Sequence, residues 1–341
     1  MKRLKVGIIG AGRIGRLHAE NLVRRLPGAE LVAIADVVEE AARICARELG
    51  IPRAYGDPAS ILKDPEIEAV LICSSTDTHA DLIEQAAEAG KHIFCEKPIA
   101  LDLDSIDRAL AAVERAGVVL QVGFNRRFDP SFSAAREAVA AGRIGRPHIL
   151  KITSRDPAPP PIEYIKVSGG IFLDMTIHDF DMARFLMGEE VVEVYAAGTV
   201  LVDERIGEVG DIDTAIVTLR FESGALGVID NSRRAVYGYD QRVEVFGDRG
   251  MVRVENPRPH QALVSNADGD HGPPLLHFFV ERYTDSYVRE LSAFVEAIQK
   301  GKEPPVTGRD GKIPVVMGYA AKRSLAEGRP VRLSEIDPSL A

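Results

Sequence analysis

The sequence predicts an α/β chain in two parts, a doubly wound parallel-sheet domain followed by an α+β domain built on an antiparallel sheet. Three observations carry this. The chain has 341 residues, more than one hydrophobic core usually serves. Its first third alternates short apolar runs with helical patterns, the signature of a parallel sheet covered on both faces. After residue 125 or so the grammar changes to strands separated by tight turn signals, as in hairpins and meanders.

In order, residues 4–9 form a continuous apolar run, as a buried parallel strand should. Residues 13–26 carry Ile14, Leu17, Leu22 and Leu26 at helical spacing. Strands are expected at 31–35, 69–73, 92–95 and 118–122, with helices at 39–49, 80–89 and 105–116. A helix at 130–141 and a strand at 148–153 follow, then the proline-rich stretch from Asp156 to Pro161, which must be a loop. One helix is expected over 170–186. Strands at 191–199, 213–221, 225–232, 242–246 and 251–255 form the second sheet, 266–274 is a polar turn, and helices at 286–300 and 312–327 finish the chain. The expected domains are 1–122 and 123–341, with the last helix free to pack back on the first domain.

Net charge is −9, with a pI near 5.5, which argues against a general nucleic-acid binder. No apolar run approaches the roughly 18 residues of a membrane helix. The apolar stretch 6–11 contains glycines and is followed by Arg13, so it reads as a strand entering a turn rather than a signal peptide. Cys45, Cys73 and Cys95 are odd in number and widely spaced, suggesting reduced thiols in a cytoplasmic protein.

Gly10, Gly12 and Gly15 make a G-x-G-x-x-G turn that directly follows a strand and opens a helix. In that context the first glycine permits the tight turn and the second lets the backbone approach a pyrophosphate. The third allows close helix–strand packing. Arg13 and Ile14 stand at the helix N-terminus, whose free N–H groups and dipole favour phosphate. Asp36 falls at the end of the second strand, where an acid binds the ribose hydroxyls of NAD. No arginine follows it to welcome a 2′-phosphate, so NAD is expected over NADP.

Lys97, in Glu96-Lys97-Pro98, follows a strand at the edge where open α/β sheets bind ligands. Its ammonium suits stabilisation of an alkoxide, and equally suits an ordinary solvated lysine. Asp174 and His178 are four apart, so on a helix they share a face. An aspartate beside a histidine fixes a tautomer and tunes a base, although a capping aspartate and a surface histidine give the same pattern. Zinc would need further ligands at fitting spacing, and no metal is expected.

Together, G-x-G-x-x-G, E-K-P and Gly169-Gly170-x-x-x-Asp174-x-x-x-His178-Asp179 resemble the glucose–fructose oxidoreductase / inositol dehydrogenase (Gfo/Idh/MocA) family. The runs 123–129, 154–157, 170–181 and 231–240 are similar to its inositol dehydrogenases. The resemblance implies a Rossmann domain and a second domain with an open, mostly antiparallel sheet. That sheet would form a homo-oligomer interface, with a tetramer favoured. It implies catalytic Lys97, Asp174 and His178, Glu96 near the nicotinamide ribose, and Ser74, Ser75, Thr76 and His79 lining the cofactor. Polyol contacts would come from Lys97, Arg127, Arg155, Asp174, His178, Tyr237 and Tyr283. Related inositol enzymes can carry histidine and asparagine where this chain has Arg155 and Pro157, a departure that bears on the preferred stereoisomer.

The expected reaction is NAD-dependent oxidation of a ring secondary alcohol of inositol to the inosose, in a cleft between the domains. His178 takes the hydroxyl proton, Asp174 orients it, and Lys97 stabilises the alkoxide. An aldose or sugar-acid dehydrogenase of the same family is the alternative. A non-catalytic NAD-binding sensor is the alternative from another class.

Overall fold

Leu4–Ile9 (β1) lies at the centre of a six-stranded parallel sheet because, Lys5 apart, it is apolar and buried on both faces. Its neighbours are Ala29–Ala35 (β2), then Arg53–Tyr55 (β3) on one side. Ala69–Ile72 (β4), His92–Glu96 (β5) and Leu120–Gly123 (β6) continue on the other. The order β3-β2-β1-β4-β5-β6 places the topological switch between β1 and β4, the crevice where open sheets bind ligands. The three-residue β3 was not expected, since Arg53-Ala54-Tyr55 carries no apolar run. The computed structural model describes residues 3–340; residues 1, 2 and 341, the outer ends of the two expected domains, lie outside it.

The chain packs as two units. One is the chain up to Phe128 together with Asp285–Val315; the other is Asp129–Thr284 together with the chain from Val316 onward. The division therefore falls a few residues later than 122, and one late segment rejoins the first unit. The physical reason is the helix Thr284–Lys300, whose Leu291, Phe294 and Val295 join the apolar cluster of Val6, Ile8 and Leu22.

The second unit holds a seven-stranded sheet made from Pro147–Arg155 (β7), Val191–Thr199 (β8), Thr214–Phe221 (β9), Leu226–Ser232 (β10), Asp240–Gly247 (β11) and Gly250–Val254 (β12). Val264–Asn266 (β13) and Gly269–His271 (β14) form a separate hairpin where a polar turn was expected, and Val331–Arg332 (β15) completes the large sheet. Its order is β12-β11-β7-β10-β9-β8-β15, antiparallel throughout except for β7 beside β10. One face is buried, through Leu150, Ile152, Val217, Leu219 and Ile229. The other exposes a cross-strand row, Leu226, Ile149, Phe246 and Met251. The cysteines are buried and unbridged. Among the described residues no helix is long and apolar enough to cross a membrane.

Candidate active site

In the first unit the glycine turn is built as its spacing demands. Gly10 has φ 104°, and a Cβ there would lie 2.5 Å from the Cys73 carbonyl oxygen. A Cβ on Gly15 would collide with the Gly10 carbonyl oxygen, so that glycine lets the helix close on the turn. Around Gly12, the N-cap of the helix Arg13–Arg25, nothing lies within 4 Å of where a Cβ would point. The first turn carries no acidic residue and no side-chain cap. Its N–H groups thus face open space that suits a pyrophosphate. Arg13 is exposed and Ile14 half-buried at this terminus.

Asp36 stands after β2 and ties the turn down. Its Oδ2 accepts from the Ala11 N–H at 2.7 Å, and Oδ1 accepts from the Val38 N–H at 2.8 Å. Each oxygen keeps a lone pair for a ribose hydroxyl. After β4, Ser74 Oγ lies 2.7 Å from Thr78 Oγ1, and the Thr78 hydroxyl donates to Ser75 O. Ser75 opens the short turn Thr76–Thr78.

His79 differs from the expectation that it lines the cofactor. It is buried, with Nδ1 2.8 Å from Pro98 O and Nε2 3.1 Å from Ser74 O. The ring staples the loop after β4 to the Glu96-Lys97-Pro98 turn. Burial pushes its pKa down, against the pull of those two carbonyls. Glu96 ends β5 and Lys97 follows, both half-buried. Arg127 is committed within this unit, with Nη2 3.0 Å from Asp310 Oδ1 and little exposure.

In the second unit the expected single helix over 170–186 is two. Ile171–Asp174 ends in a turn at Met175 and Thr176, and Ile177–Met187 begins afresh. Asp174 and His178 therefore flank a break instead of sharing one helical face. The buried Thr176 hydroxyl reaches back to the Ile171 carbonyl at 3.3 Å, the side-chain competition that interrupts helices, and lies 2.6 Å from Asn231 Oδ1. Gly169 and Gly170, with φ 84° and 80°, turn the chain into the first helix, and Asp211 Oδ1 accepts from the Ile171 N–H at 3.0 Å.

Asp174 is clamped. Tyr164 donates its hydroxyl to Oδ1 at 2.8 Å, and Arg233 Nη1 donates to Oδ2 at 3.2 Å. The Arg233 guanidinium also lies 3.6 Å from Asp211. Neither Tyr164 nor Arg233 was picked out individually from the sequence. In the fold Asn231, Arg233 and Ala235 are buried and Arg234 and Val236 exposed; nothing in the residue types of this run marks Arg233 for the inside.

Arg155 and Tyr237 do come together, but on the other face of the sheet. Ser154 points inward to Gln241 at 3.0 Å, and Asn231 inward to Asp179 at 2.8 Å. Arg155, next in β7, therefore faces outward. Its Nε donates to Asp230 Oδ1 at 3.0 Å and its Nη1 to the Tyr237 hydroxyl at 2.9 Å. Tyr237 in turn donates to Asp240 at 2.7 Å. Burial opposes ionisation of Asp240, yet hydrogen bonds from Arg242, Tyr237 and Asn256 outweigh it and hold its pKa below the usual range. Burial and Asp240 push the Tyr237 phenol up. Tyr283 is 1 % exposed, packed edge-on to Tyr239 and beneath the Arg282 guanidinium.

Residues 4–124 match the model of an oxidoreductase family with an NAD-binding Rossmann fold, and residues 132–253 match the GFO/IDH/MocA C-terminal domain. The chain is 56% identical to a myo-inositol 2-dehydrogenase of Thermotoga maritima, over 98% of this chain and 99% of that one. It is 50% identical to an inositol 2-dehydrogenase of Rhizobium meliloti, over 97% and 99%. A crystal structure of scyllo-inositol dehydrogenase from Lactobacillus casei, with bound NAD(H) and scyllo-inositol, superposes with a TM-score of 0.91 at 31% identity, covering 98% of this chain and 100% of that one. With an NAD-type glycine turn in a 3-2-1-4-5-6 parallel sheet and matches at both domains, the chain belongs to the GFO/IDH/MocA family of NAD-dependent oxidoreductases.

Proposed function

We propose that this enzyme oxidises a ring secondary alcohol of myo-inositol or a close isomer to the inosose. The observation that carries the reading is likeness to inositol dehydrogenases along nearly the whole length of the chain, with Lys97, Asp174 and His178 all in place.

The residues fit NAD. Gly10, Gly12 and Gly15 with the helix N-terminus would hold the pyrophosphate, and Asp36 the adenosine ribose. Ser74 to Thr76 and Glu96 would take the nicotinamide side. When bound, NAD⁺ supplies the hydride acceptor. The chain's own residues handle the proton. His178 accepts it from the substrate hydroxyl. Asp174, fixed by Tyr164 and Arg233, orients the imidazole and balances its charge. Lys97 stabilises the oxygen as it becomes an alkoxide. Arg127, Arg155, Tyr237 and Tyr283 enter this reading as structural supports, because ion pairs, the outward face of β7 or full burial already engage them.

We further propose that the exposed row Leu226, Ile149, Phe246 and Met251 packs against a second copy of the chain, within a tetramer. The buried, unbridged thiols suit a reducing cytoplasm.

Purified protein with NAD⁺ should oxidise myo- or scyllo-inositol faster than any aldose, sugar acid or 2-hydroxy acid. NADH formation with an aldose and with no cyclitol would overturn the substrate assignment. No NADH from any polyol or sugar would overturn catalysis and favour the sensor.

A further inference from the structure

At the Glu96–Lys97 turn the first unit gathers three ionisable side chains, of which Glu96 is half-buried and the other two are buried. His18, from the helix Arg13–Arg25, places Nε2 2.6 Å from Glu96 Oε1. Glu290, from the helix Thr284–Lys300, brings its carboxyl to the same spot, so that one donor or acceptor atom of each residue lies within 4.8 Å of the others. His18 and Glu290 are fully buried. Neither oxygen of Glu290 has a hydrogen-bond partner among the described residues. Apolar and aromatic groups close the space: Phe94 and Tyr287 stand edge-on to His18 at 5.3 and 5.7 Å between ring centres. The catalytic reading above uses neither His18 nor Glu290.

Two carboxylates this close in an apolar enclosure cannot both ionise cheaply. Glu96 is the one with a donor. A carboxylate only accepts, so the proton of the short contact belongs to His18 Nε2, and the negative charge stays on Glu96. Glu290 is left as the neutral acid. A metal ion is the competing occupant of a His–Glu–Glu cluster. Two ligands on a tetrahedral zinc would stand roughly 3.3 Å apart, whereas His18 and Glu96 are at hydrogen-bond distance, 2.6 Å.

We propose that His18, Glu96 and Glu290 form a proton-holding unit in which neutral Glu290 keeps a single negative charge on Glu96, so that losing the Glu290 proton weakens cofactor binding. Glu290 and His18 are positioning residues, acting through Glu96. The proposal rests on the reading that Glu96 meets the nicotinamide side of NAD. Of the nearby thiols, Cys73, after β4, faces both Glu96 and Glu290, and Cys95, in β5, faces Glu96; burial pushes both thiols up, so they stay neutral. Burial first, and the Glu96 charge second, push Glu290 itself well above the ordinary carboxyl range.

The sign follows from linkage. An acid whose pKa is raised by folding favours the folded state at low pH. That advantage is lost as pH rises from about 4.3, the unfolded value, through the folded one.

The tests need no inositol, so they stand apart from the substrate assignment. NADH affinity by fluorescence titration, melting temperature of the cofactor-free protein against pH, and infrared spectra would be compared for wild type and Glu290→Gln. Wild type should lose about ten-fold in NADH affinity as pH rises through the Glu290 titration. Glu290→Gln should bind like wild type at neutral pH and lack that decline, and its melting temperature should fall less with rising pH. Wild type at neutral pH should show the carbonyl-stretch band of a protonated carboxylic acid. Parallel pH profiles for the two proteins overturn the proposal. So does a wild-type spectrum without the acid band, a result that needs no variant to fold. A zinc-dependent rise in melting temperature present in wild type and absent from Glu290→Gln also overturns it, in favour of a metal site. Failure of inositol turnover with these results intact would overturn only the substrate assignment.

Discussion

Arg233, 1 % exposed, holds Asp174 from beneath, Nη1 to Oδ2 at 3.2 Å. The carboxylate of the proposed base-orienting residue is thus set by a buried cation as well as by the backbone. An aspartate on a four-residue helix beside a break has little helical stiffness of its own. Arg233 and Tyr164 supply the missing constraint, one on each oxygen.

Tyr164→Phe should therefore lower kcat by about two- to ten-fold, the effect of one lost hydrogen bond. Tyr164 is about half exposed, so stability should change little. Arg233→Met removes one partner of a buried ion pair and leaves Asp174 and Asp211 facing each other. It should cost on the order of 3 kcal/mol in stability. Steady-state kinetics and thermal melts of both variants decide this. A Tyr164→Phe enzyme with unchanged kcat would show that the clamp does not matter to the reaction.

Asp36→Ala should raise KM for NAD⁺ and narrow the preference over NADP⁺, because one carboxylate both attracts ribose hydroxyls and repels a 2′-phosphate. Its bonds to the Ala11 and Val38 N–H groups add a second effect, a looser glycine turn. Comparing kcat/KM for the two cofactors separates these. A general loss with the ratio unchanged would assign Asp36 to the turn alone.

Much of this molecule was legible because its signals are local. The glycine spacing, the apolar runs of β1, β2 and β4, and the turn residues between β9 and β10 each act over a few residues. What was illegible depends on tertiary partners. The turn at Thr176 is tied to Asn231, from β10. The staple at His79 needs Pro98, and the return of residues 285–315 to the first unit needs the sheet that Leu291 and Phe294 cover. The outward direction of Arg155 was within reach. Leu150, Ile152 and Ser154 set the inward parity of β7, and Arg155 lies off it.

His79 makes an acid-stability prediction. A histidine whose pKa is lowered by folding gives stability above its unfolded value, near 6.5, that is lost as pH falls. His79→Gln keeps a donor for one carbonyl and cannot protonate. Its melting temperature should therefore fall less than that of wild type between neutral pH and about 5, within the window set by that unfolded value. Equal slopes for the two proteins would mean that His79 is accommodated when charged.

The open sheet face predicts assembly. Leu226→Glu with Ile149→Glu places charge on adjacent strands, at paired positions. Like charges at a closely packed interface oppose association. Sedimentation should show a tetrameric wild type and a smaller species for the double variant, with a folded circular-dichroism spectrum. An unchanged sedimentation coefficient would remove this face from the interface.

The catalytic set gives the most demanding prediction. If His178 takes the proton while Lys97 stabilises the oxygen it leaves, the two act on one developing charge and their losses cannot multiply. His178→Ala should lower kcat by about 10²–10⁴, the usual share of a general base. Lys97→Ala should cost a similar amount, and the double variant much less than the product. Hydride transfer should also become more fully rate-limiting in His178→Ala. The primary isotope effect with inositol deuterated at the reacting carbon should then rise above that of wild type. Multiplicative losses would place the two residues in separate steps. A His178→Ala enzyme with near-normal kcat and an unchanged isotope effect would move the base elsewhere, with Lys97 the next candidate to test.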